Sequence, residues 1–299
     1  MKRILITGAT GTIGMEVVHH LFKLDNNAEI IAAVRNLDNA KQQFYNLSGL
    51  NYRVFDFQDQ DTFNSAFVGI AILFLLRPPQ ISKVDTYFRP LLESAKNNGI
   101  DKVVFLSVQG ADKSKVIPHN QIERLIQSMG FSYIFARPSY FMQNLTTSLL
   151  PELQNNRSIT LPSGTAKFNW IDVKNIGEVL ALFLTSFENY QNEVYDITGT
   201  ENKNFQEVIE ILSKATGLKF TYISTNPLSF YLLKRKNGLQ SGFALVMTIL
   251  HFLPRFEKEP KISDSFNKLT GKKPTLLSEF INRERDTFTT TGTSIKTRN

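Results

Sequence analysis

The chain has 299 residues, enough for one large or two modest domains, and Lys and Arg outnumber Asp and Glu by 34 to 27. Its 42% hydrophobic and 20% charged residues are typical of a soluble globular protein, and the absence of cysteine excludes disulfides and thiolate metal sites. The basic residues are scattered among acids, which argues against nucleic acid as a partner.

Two apolar stretches bear on where the protein works. The first, at the N-terminus, is only three residues long before a glycine turn, so we expect no signal peptide. The second, residues 243–253, is about half the length of a bilayer span, and we expect a buried helix there. We therefore expect a cytoplasmic protein that has no metal and no membrane span.

The first fourteen residues have the pattern of a strand, a glycine turn and a helix start. Ile4, Leu5 and Ile6 precede Thr-Gly-Ala-Thr-Gly-Thr-Ile-Gly, and an amphipathic segment follows. Gly8 allows the tight turn, Gly11 lets the backbone approach a pyrophosphate, and Gly14 lets the helix lie close to the sheet. In this context the spacing predicts a dinucleotide site at a helix N-terminus.

Two residues beyond the turn bear on the choice of cofactor. Arg35 follows a predicted strand at 29–34, where a protein specific for NAD usually has Asp or Glu. A guanidinium there would attract a 2′-phosphate and favour NADP(H), although a solvated surface arginine is the alternative. Asp56, which with Phe57 ends the third strand, fits two roles: it could accept a hydrogen bond from an adenine amino group or cap the helix beginning near Asp61.

Strands and helices alternate at short intervals up to about residue 145. Further strands are predicted at 70–76, 102–106 and 131–137; the first leads into Leu76-Arg77-Pro78-Pro79, and a loop at 138–144 follows the last. Such alternation predicts an α/β fold, a Rossmann-type doubly wound parallel sheet with ligands at the carboxyl ends of its strands.

The second half is less regular and predicts a smaller α/β substrate region. We expect a dinucleotide-binding domain at 1–150, with a helix and strand from 165–200 returning to it. A substrate-binding region at 151–286 and a disordered tail at 287–299 complete the prediction. Tyr140, Phe141 and Trp170 are candidates for stacking on a flat substrate, with a place in the core as the alternative.

Several motifs together resemble those of a known family. They are Thr-Gly-Ala-Thr-Gly-Thr-Ile-Gly, Val34-Arg35-Asn36, Leu106-Ser107, Arg137-Pro138-Ser139-Tyr140-Phe141-Met142-Gln143-Asn144 and Leu269-Thr270-Gly271-Lys272-Lys273-Pro274. The chain resembles the NmrA-like group of atypical short-chain dehydrogenases, which includes quinone and triphenylmethane reductases, isoflavone-type reductases and redox-sensing regulators. The resemblance implies NADP(H) as cofactor, with the nicotinamide near Ser107 and the 138–141 loop. The expected cofactor-binding residues are Gly8, Ala9, Thr10, Gly11, Thr12, Ile13, Arg35, Asp56, Phe57, Leu76, Arg77, Ser107, Pro138, Tyr140 and Phe141.

The chain departs from the family at the catalytic pair. Members typically carry a Tyr and, four residues on, a Lys that lowers the pKa of the Tyr. If Glu123 matches the Glu that follows this Lys in extended members, Lys115 and His119 occupy the two places. His119 is then a candidate general acid, with an ordinary helix-start residue as the alternative. Ser107 is a candidate hydrogen-bond donor to substrate, with a helix cap as the alternative.

These observations favour an NADPH-dependent reductase of a small, flat acceptor such as a quinone, because hydride transfer needs little beyond placing the nicotinamide against the acceptor. The rival hypothesis is an NADP(H)-binding redox sensor that acts through a protein partner and catalyses nothing. A sugar-nucleotide epimerase is disfavoured because that chemistry depends on the missing Tyr. A homodimer or a regulatory protein partner is compatible with either main hypothesis.

Overall fold

The computed structural model describes residues 2–24 and 27–290. Within them, the β-strands are β1 Lys2–Thr7, β2 Ala28–Val34, β3 Asn51–Val54, β4 Ile72–Leu76, β5 Lys102–Leu106, β6 Ser132–Pro138, β7 Tyr140–Phe141, β8 Ser158–Leu161, β9 Phe168–Ile171, β10 Glu193–Ile197, β11 Asn202–Lys203 and β12 Thr221–Ser224. The α-helices are α1 Thr12–Lys23, α2 Leu37–Gln43, α3 Asp61–Phe67, α4 Val84–Asn97, α5 Pro118–Ser128, α6 Leu150–Asn156, α7 Val173–Thr185, α8 Phe205–Thr216, α9 Pro227–Lys236, α10 Ser241–Phe252, α11 Ser265–Thr270, α12 Leu277–Arg283 and α13 Arg285–Thr289.

The contacts between residues divide the chain into two compact units. Unit 1 comprises residues 1–138, 173–197 and 268–271, and unit 2 comprises residues 139–172, 198–267 and 272–299. Each unit has its own hydrophobic core. No helix among the described residues is long and apolar enough to cross a membrane.

Unit 1 is built on a seven-stranded sheet in the order β10-β6-β5-β4-β1-β2-β3, and every pairing in it is parallel. The central strands are continuously apolar and buried, as strands covered on both faces must be. The first six strands follow the Rossmann order, so the predicted α/β fold is confirmed. The order reverses between β1 and β4, which is where such sheets bind their ligands.

The core of unit 1 forms where helices α3, α4 and α5 pack on one set of strand side chains. It is rich in phenylalanine: Phe55 lies edge-on to Phe57 at 4.9 Å between ring centroids, and Phe63 stacks on Phe55 at 5.5 Å. Helix α7 packs against α1, and β10 follows it at the sheet edge beside β6. Burial of these rings holds the three helices against the sheet.

Unit 2 contains two small sheets and its own core. One sheet has the order β11-β9-β7 and the other pairs β12 with β8. The aromatic side chains of Trp170, Phe205 and Phe230 are fully buried among aliphatic residues from α6, α8 and α12. The indole N–H of Trp170 donates to the carbonyl of Lys203 at 3.0 Å, so this residue is a satisfied core side chain and not a stacking surface.

Two predictions about segment boundaries differ from the structure. The loop expected at 138–144 contains strand β7, which pairs with β9 and is followed by a 3-10 helix at Met142–Leu145. The first residues of the tail expected from residue 287 are helical instead, because α13 runs to Thr289 and Phe288 is buried. In both cases a tertiary contact orders a segment that has little local pattern. Residues 291–299 of the predicted tail lie outside the described residues.

Candidate functional site

The glycine turn joins β1 to α1 at the point where the strand order reverses. Gly8 has φ +62°, and its carbonyl accepts a hydrogen bond from the N–H of Gly11 at 2.9 Å. A Cβ at Gly14 would lie 2.2 Å from the oxygen of Gly8, so only glycine lets the helix approach the turn this closely. Thr10, Gly11 and Thr12 are exposed, and no side chain caps α1. The free N–H groups of the helix therefore face outward, ready to bind an anion.

The remaining residues of the turn are held by the sheet. Ala9 and Ile13 are buried, and the Thr7 hydroxyl donates to the carbonyl of Phe74 in β4 at 2.9 Å. The side chain of Leu76, at the end of β4, packs against the turn: a Cβ at Gly8 would lie 2.8 Å from it. The carboxyl ends of β1 and β4 thus form one rigid edge.

Arg35 directly follows β2, the neighbour of β1 in the sheet. Its side chain is exposed and makes no hydrogen bond or ion pair with any other described residue. The next residue, Asn36, caps α2 through its side-chain oxygen, which accepts from the N–H of Asn39 at 2.9 Å. The helix start is therefore satisfied without Arg35, whose guanidinium keeps all its donors for a ligand.

Asp56 and Phe57 are more occupied than the sequence indicates. The Asp56 carboxylate accepts the N–H of Gln58 at 2.9 Å, while the N–H of Asp61 bonds to the carboxylate of Asp59. The prediction that Asp56 caps α3 is therefore wrong, because Asp59 bonds the helix start. The Phe57 ring is buried against Phe55, which leaves only its main chain for a cofactor.

Arg77 and His119 form a pair above the end of β4. The Arg77 Nε donates to His119 Nε2 at 3.4 Å, and its Nη1 donates to the carbonyls of Pro78, Pro79 and Ile81 at 3.2, 3.0 and 2.8 Å. Arg77 thus fixes the proline loop. Burial, and after it the charge of Arg77, lowers the pKa of His119 to about 3. The ring is neutral near pH 7 and its Nε2 accepts a hydrogen bond, so the structure does not support the predicted general acid.

Ser107 follows β5 and is only 1% exposed, yet its hydroxyl has no hydrogen-bond partner among the described residues. The main chain around it is fully engaged: the N–H of Ser107 donates to Ala136, and that of Gln109 donates to Pro138, at 2.8 and 2.9 Å. The side-chain oxygen of Asn120, in the first turn of α5, is likewise buried and unpaired. Such unpaired buried groups are rare in folded proteins, and a bound ligand or water is one way in which they gain a partner. The sequence does not reveal Asn120, which reads as an ordinary helix-start residue.

The residues at the expected Tyr–Lys positions do not form a catalytic pair. Lys115 is exposed, whereas Glu123 is buried and holds Arg137 through two hydrogen bonds, Nε to Oε1 at 2.9 Å and Nη2 to Oε2 at 2.6 Å. This ion pair ties α5 to β6 and raises the pKa of Arg137. Glu123 therefore stabilises the framework of unit 1.

Tyr140 and Phe141 form strand β7 in unit 2. The Tyr140 ring lies edge-on to Trp170 at 4.9 Å, and its hydroxyl contacts His251 Nε2 at 2.9 Å. His251 Nδ1 lies 2.7 Å from the carbonyl of Met247, which can only accept, so Nδ1 carries the proton and the tyrosine donates. Burial raises the pKa of Tyr140 and lowers that of His251 to about 4. The phenol is thereby kept neutral within the aromatic core.

The strand order and the glycine turn define an α/β protein of the Rossmann type. A sequence model described as the NmrA-like family matches residues 1–281, and the chain belongs to that family. It is 27% identical to Prestalk A differentiation protein A of Dictyostelium discoideum, over 97% of this chain and 94% of that one. It is 26% identical to the NAD(P)H azoreductase of Xenophilus azovorans, over 95% and 99%. In structure it resembles the NADPH-dependent quinone oxidoreductase of Escherichia coli complexed with NADPH, with a TM-score of 0.81, 23% identity and coverage of 94% and 99%.

Proposed function

We propose that the protein is an NADPH-dependent reductase of a small, flat acceptor such as a quinone. One observation carries the proposal: a glycine turn at the reversal of strand order stands beside an arginine, on the neighbouring strand, that has no partner within the described residues. The turn supplies donors for a pyrophosphate, and Arg35 supplies a cation for a 2′-phosphate. A coenzyme with both groups fits this edge of unit 1.

The residues present fit NADP(H). Thr10, Gly11 and Thr12 would hold the pyrophosphate on the N-terminus of α1, and Arg35 would hold the 2′-phosphate. The buried hydroxyl of Ser107 would gain the partner that it lacks in the folded chain. When bound, the reduced nicotinamide supplies a hydride, and the acceptor must gain a proton in addition.

The proton need not come from a side chain of the usual catalytic pair. His119 is neutral, and its Nε2 accepts from Arg77, so we assign it a positioning role for Arg77 and the proline loop. A quinone that has received a hydride is an oxyanion with a low affinity for protons compared with an alkoxide, and water can protonate it. This chemistry therefore tolerates the loss of the Tyr–Lys pair, whereas alcohol dehydrogenation does not.

The choice of acceptor is supported by the relatives. One is named an azoreductase and another a quinone oxidoreductase; quinones and azo compounds are both conjugated acceptors that take up a hydride without an acid of high strength. A second candidate function is a redox sensor that binds NADP(H) without turnover. The observation that favours it is that no residue in the expected proton-donor places is arranged to donate a proton to substrate, since the ring of His119 is neutral and Lys115 is exposed.

A titration in one cuvette separates the two functions. Purified protein is titrated with NADPH and a simple quinone is then added while the absorbance of the reduced nicotinamide is recorded. Binding followed by bleaching supports the reductase. Binding without bleaching across quinones, azo dyes and triphenylmethane dyes would overturn it in favour of the sensor, and no binding at all would overturn both.

The cofactor preference tests Arg35 directly. Replacing Arg35 with Glu should weaken NADPH binding by roughly 1 to 3 kcal/mol, the value of a charge-assisted hydrogen bond, and should leave NADH binding nearly unchanged. Lys83→Glu is the matched control, because Lys83 is also exposed in unit 1 and the net charge changes equally. Equal losses in both variants would mean that Arg35 acts only through long-range charge, and an unchanged preference would contradict its role.

A further inference from the structure

Helices α9 and α10 pack on each other in unit 2 and carry an unusual outer surface; we call residues 227–256 the hairpin. The inner face of α10 is formed by Ala244, Met247, Thr248 and His251, which are all buried. The opposite face should be polar if it faced water only. It instead exposes the apolar side chains of Leu245, Val246, Ile249 and Leu250, and Leu253, the first residue of the 3-10 helix that follows, continues this face. The helix expected at 243–253 is therefore present, but the expectation that it is buried is wrong for its outer face.

The neighbouring elements extend this apolar surface. On α9, Phe230 points into the core, while Leu228, Leu232 and Leu233 are exposed. The 3-10 helix that follows α10 exposes Phe256. Monomeric soluble proteins rarely expose so many large apolar side chains on one short segment, so the hairpin has the character of an interaction surface.

The charged residues within the hairpin and the segment before it all have one sign. Residues 211–256 contain neither Asp nor Glu, although the whole chain has 27 of them. The same segment carries the basic residues Lys214, Lys219, Lys234, Arg235, Lys236 and Arg255. Three of them form the last turn of α9. The first acids beyond the segment are Glu257 and Glu259, and Glu259 is paired with Lys167 at 2.9 Å. The partner should therefore be apolar and carry negative charge.

We propose that the hairpin docks this protein on the surface of an anionic lipid membrane. The apolar outer faces of α9 and α10 would enter the boundary between headgroups and acyl chains, and the basic residues would contact anionic headgroups. With 12 residues, α10 is about 18 Å long and cannot cross the hydrocarbon core of about 30 Å, so it lies along the surface.

Other occupants of this surface fit less well. A two-fold contact of hairpin on hairpin between two copies would bring together two segments that carry basic residues, Lys234, Arg235 and Lys236 among them, and no acidic ones. The residues outside the described part, 291–299, include only one large apolar residue, Ile295, and carry two further basic residues. Both contacts would therefore bring basic charge to a basic surface, whereas an anionic membrane offers apolar surface and negative charge together.

Vesicle flotation tests the proposal on the full chain, without NADPH or acceptor, so its failure leaves the proposed reductase intact. The wild-type protein is mixed with phosphatidylcholine vesicles and with vesicles that also contain phosphatidylglycerol. We expect binding to the anionic vesicles to be at least tenfold stronger, and to weaken in high salt. Absence of binding to both vesicle types would overturn the proposal without any variant.

Two pairs of variants separate the apolar and the charged contributions. Leu245→Gln with Ile249→Gln changes side chains that are 51% and 44% exposed, and should reduce vesicle binding at least tenfold. Its control is Tyr45→Gln with Val116→Gln, at positions 86% and 79% exposed in unit 1, which should bind as wild type does. Arg235→Gln with Lys236→Gln should reduce binding to anionic vesicles about fivefold per charge. Its control, Lys41→Gln with Lys83→Gln, should change binding little.

Unfolding curves of each variant show whether the fold is kept. Equal losses in the hairpin variants and their controls would overturn the proposal, because binding would then follow net charge or general hydrophobicity. Sedimentation of the free protein tests whether a second copy covers the surface instead. If the wild type binds no vesicles and forms a dimer that dissociates in the Leu245→Gln/Ile249→Gln variant, the surface belongs to a second copy.

Discussion

The two units treat their buried polar groups differently. In unit 2 the buried hydroxyl of Ser163 contacts that of Tyr222 at 2.8 Å, and His251 is bonded at both ring nitrogens. In unit 1 the oxygens of Ser107 and Asn120 are buried and unpaired, and they are the only such side-chain atoms among the described residues. A buried polar group without a partner costs stability, so it persists where something other than stability retains it. The comparison suggests that unit 1 is arranged for a ligand, whereas the described core of unit 2 is arranged for packing.

The largest expected effects come from one glycine in each unit. A Cβ at Gly14 would lie 2.2 Å from the carbonyl oxygen of Gly8, and one at Gly199 would lie 1.9 Å from that of Trp170. Since both contacts are with backbone, Gly→Ala at either position should lower the free energy of unfolding by about 3 kcal/mol. Among the molecules that remain folded, only those of Gly14→Ala should bind NADPH more weakly, because Gly14 belongs to the glycine turn and Gly199 does not. Urea unfolding and NADPH titration measure the two quantities.

A third glycine supplies the control. A Cβ at Gly242 in α10 would meet no atom within 4 Å, so Gly242→Ala should stabilise the protein slightly through the helix propensity of alanine. If Gly14→Ala and Gly199→Ala weakened NADPH binding equally, the proposed distinction between the units would fail.

The pH dependence of stability compares a histidine from each unit. His119 and His251 have pKa values lowered to about 3 and about 4 by burial, against an ordinary value of 6.5. The unfolded chain therefore binds protons more readily, and the stability that each neutral ring contributes is complete above pH 6.5 and declines as the pH falls toward the folded value. Two pH units below 6.5, at pH 4.5, the stabilisation from each neutral ring should have fallen by about 3 kcal/mol, at about 1.4 kcal/mol per pH unit.

Single variants isolate this effect from the titration of carboxylates. His251→Gln should destabilise the protein most at pH 7.5, and its difference from wild type in the free energy of unfolding should shrink by about 3 kcal/mol at pH 4.5. His119→Gln should show the same trend in unit 1. The measurement is urea unfolding at several pH values; a difference that does not vary with pH would mean that the ring is solvated.

The regular part of unit 1 could be predicted from the sequence because its signals are local. The strand before Gly8, the three glycines and the alternation of apolar strands with helices each depend on a few neighbouring residues. The role of Asp56 at the start of α3 could not be assigned, because Asp56 and Asp59 offer the same chemistry and only the folded backbone brings the N–H of Asp61 to the carboxylate of Asp59. Likewise, Tyr140 and Trp170 are candidate stacking rings in the sequence, and only their packing partners show that both lie in the aromatic core.

The reactive groups of the candidate site were harder to predict, since they depend on residues far apart in the chain. His119 has an ordinary sequence context, and its neutrality follows from burial and from Arg77, which lies 42 positions away. The exposed face of α10 is a similar case. Its residues are apolar on every side, so the sequence indicates burial, and only the structure shows which side has no covering element.

The smallest expected effect separates the two units most sharply. Ser107→Ala removes a buried hydroxyl that has no partner, so the free energy of unfolding should stay the same or rise by a few tenths of a kcal/mol, whereas Ser163→Ala removes one bonded to Tyr222 and should cost about 1 kcal/mol. If Ser107 serves a ligand, its variant should lower NADPH affinity or the rate of quinone reduction in spite of its unchanged stability, and Ser163→Ala should leave both unaltered. A Ser107→Ala variant that is destabilised yet fully active would show that the hydroxyl has a structural partner, and the argument that unit 1 is arranged for a ligand would lose its main support.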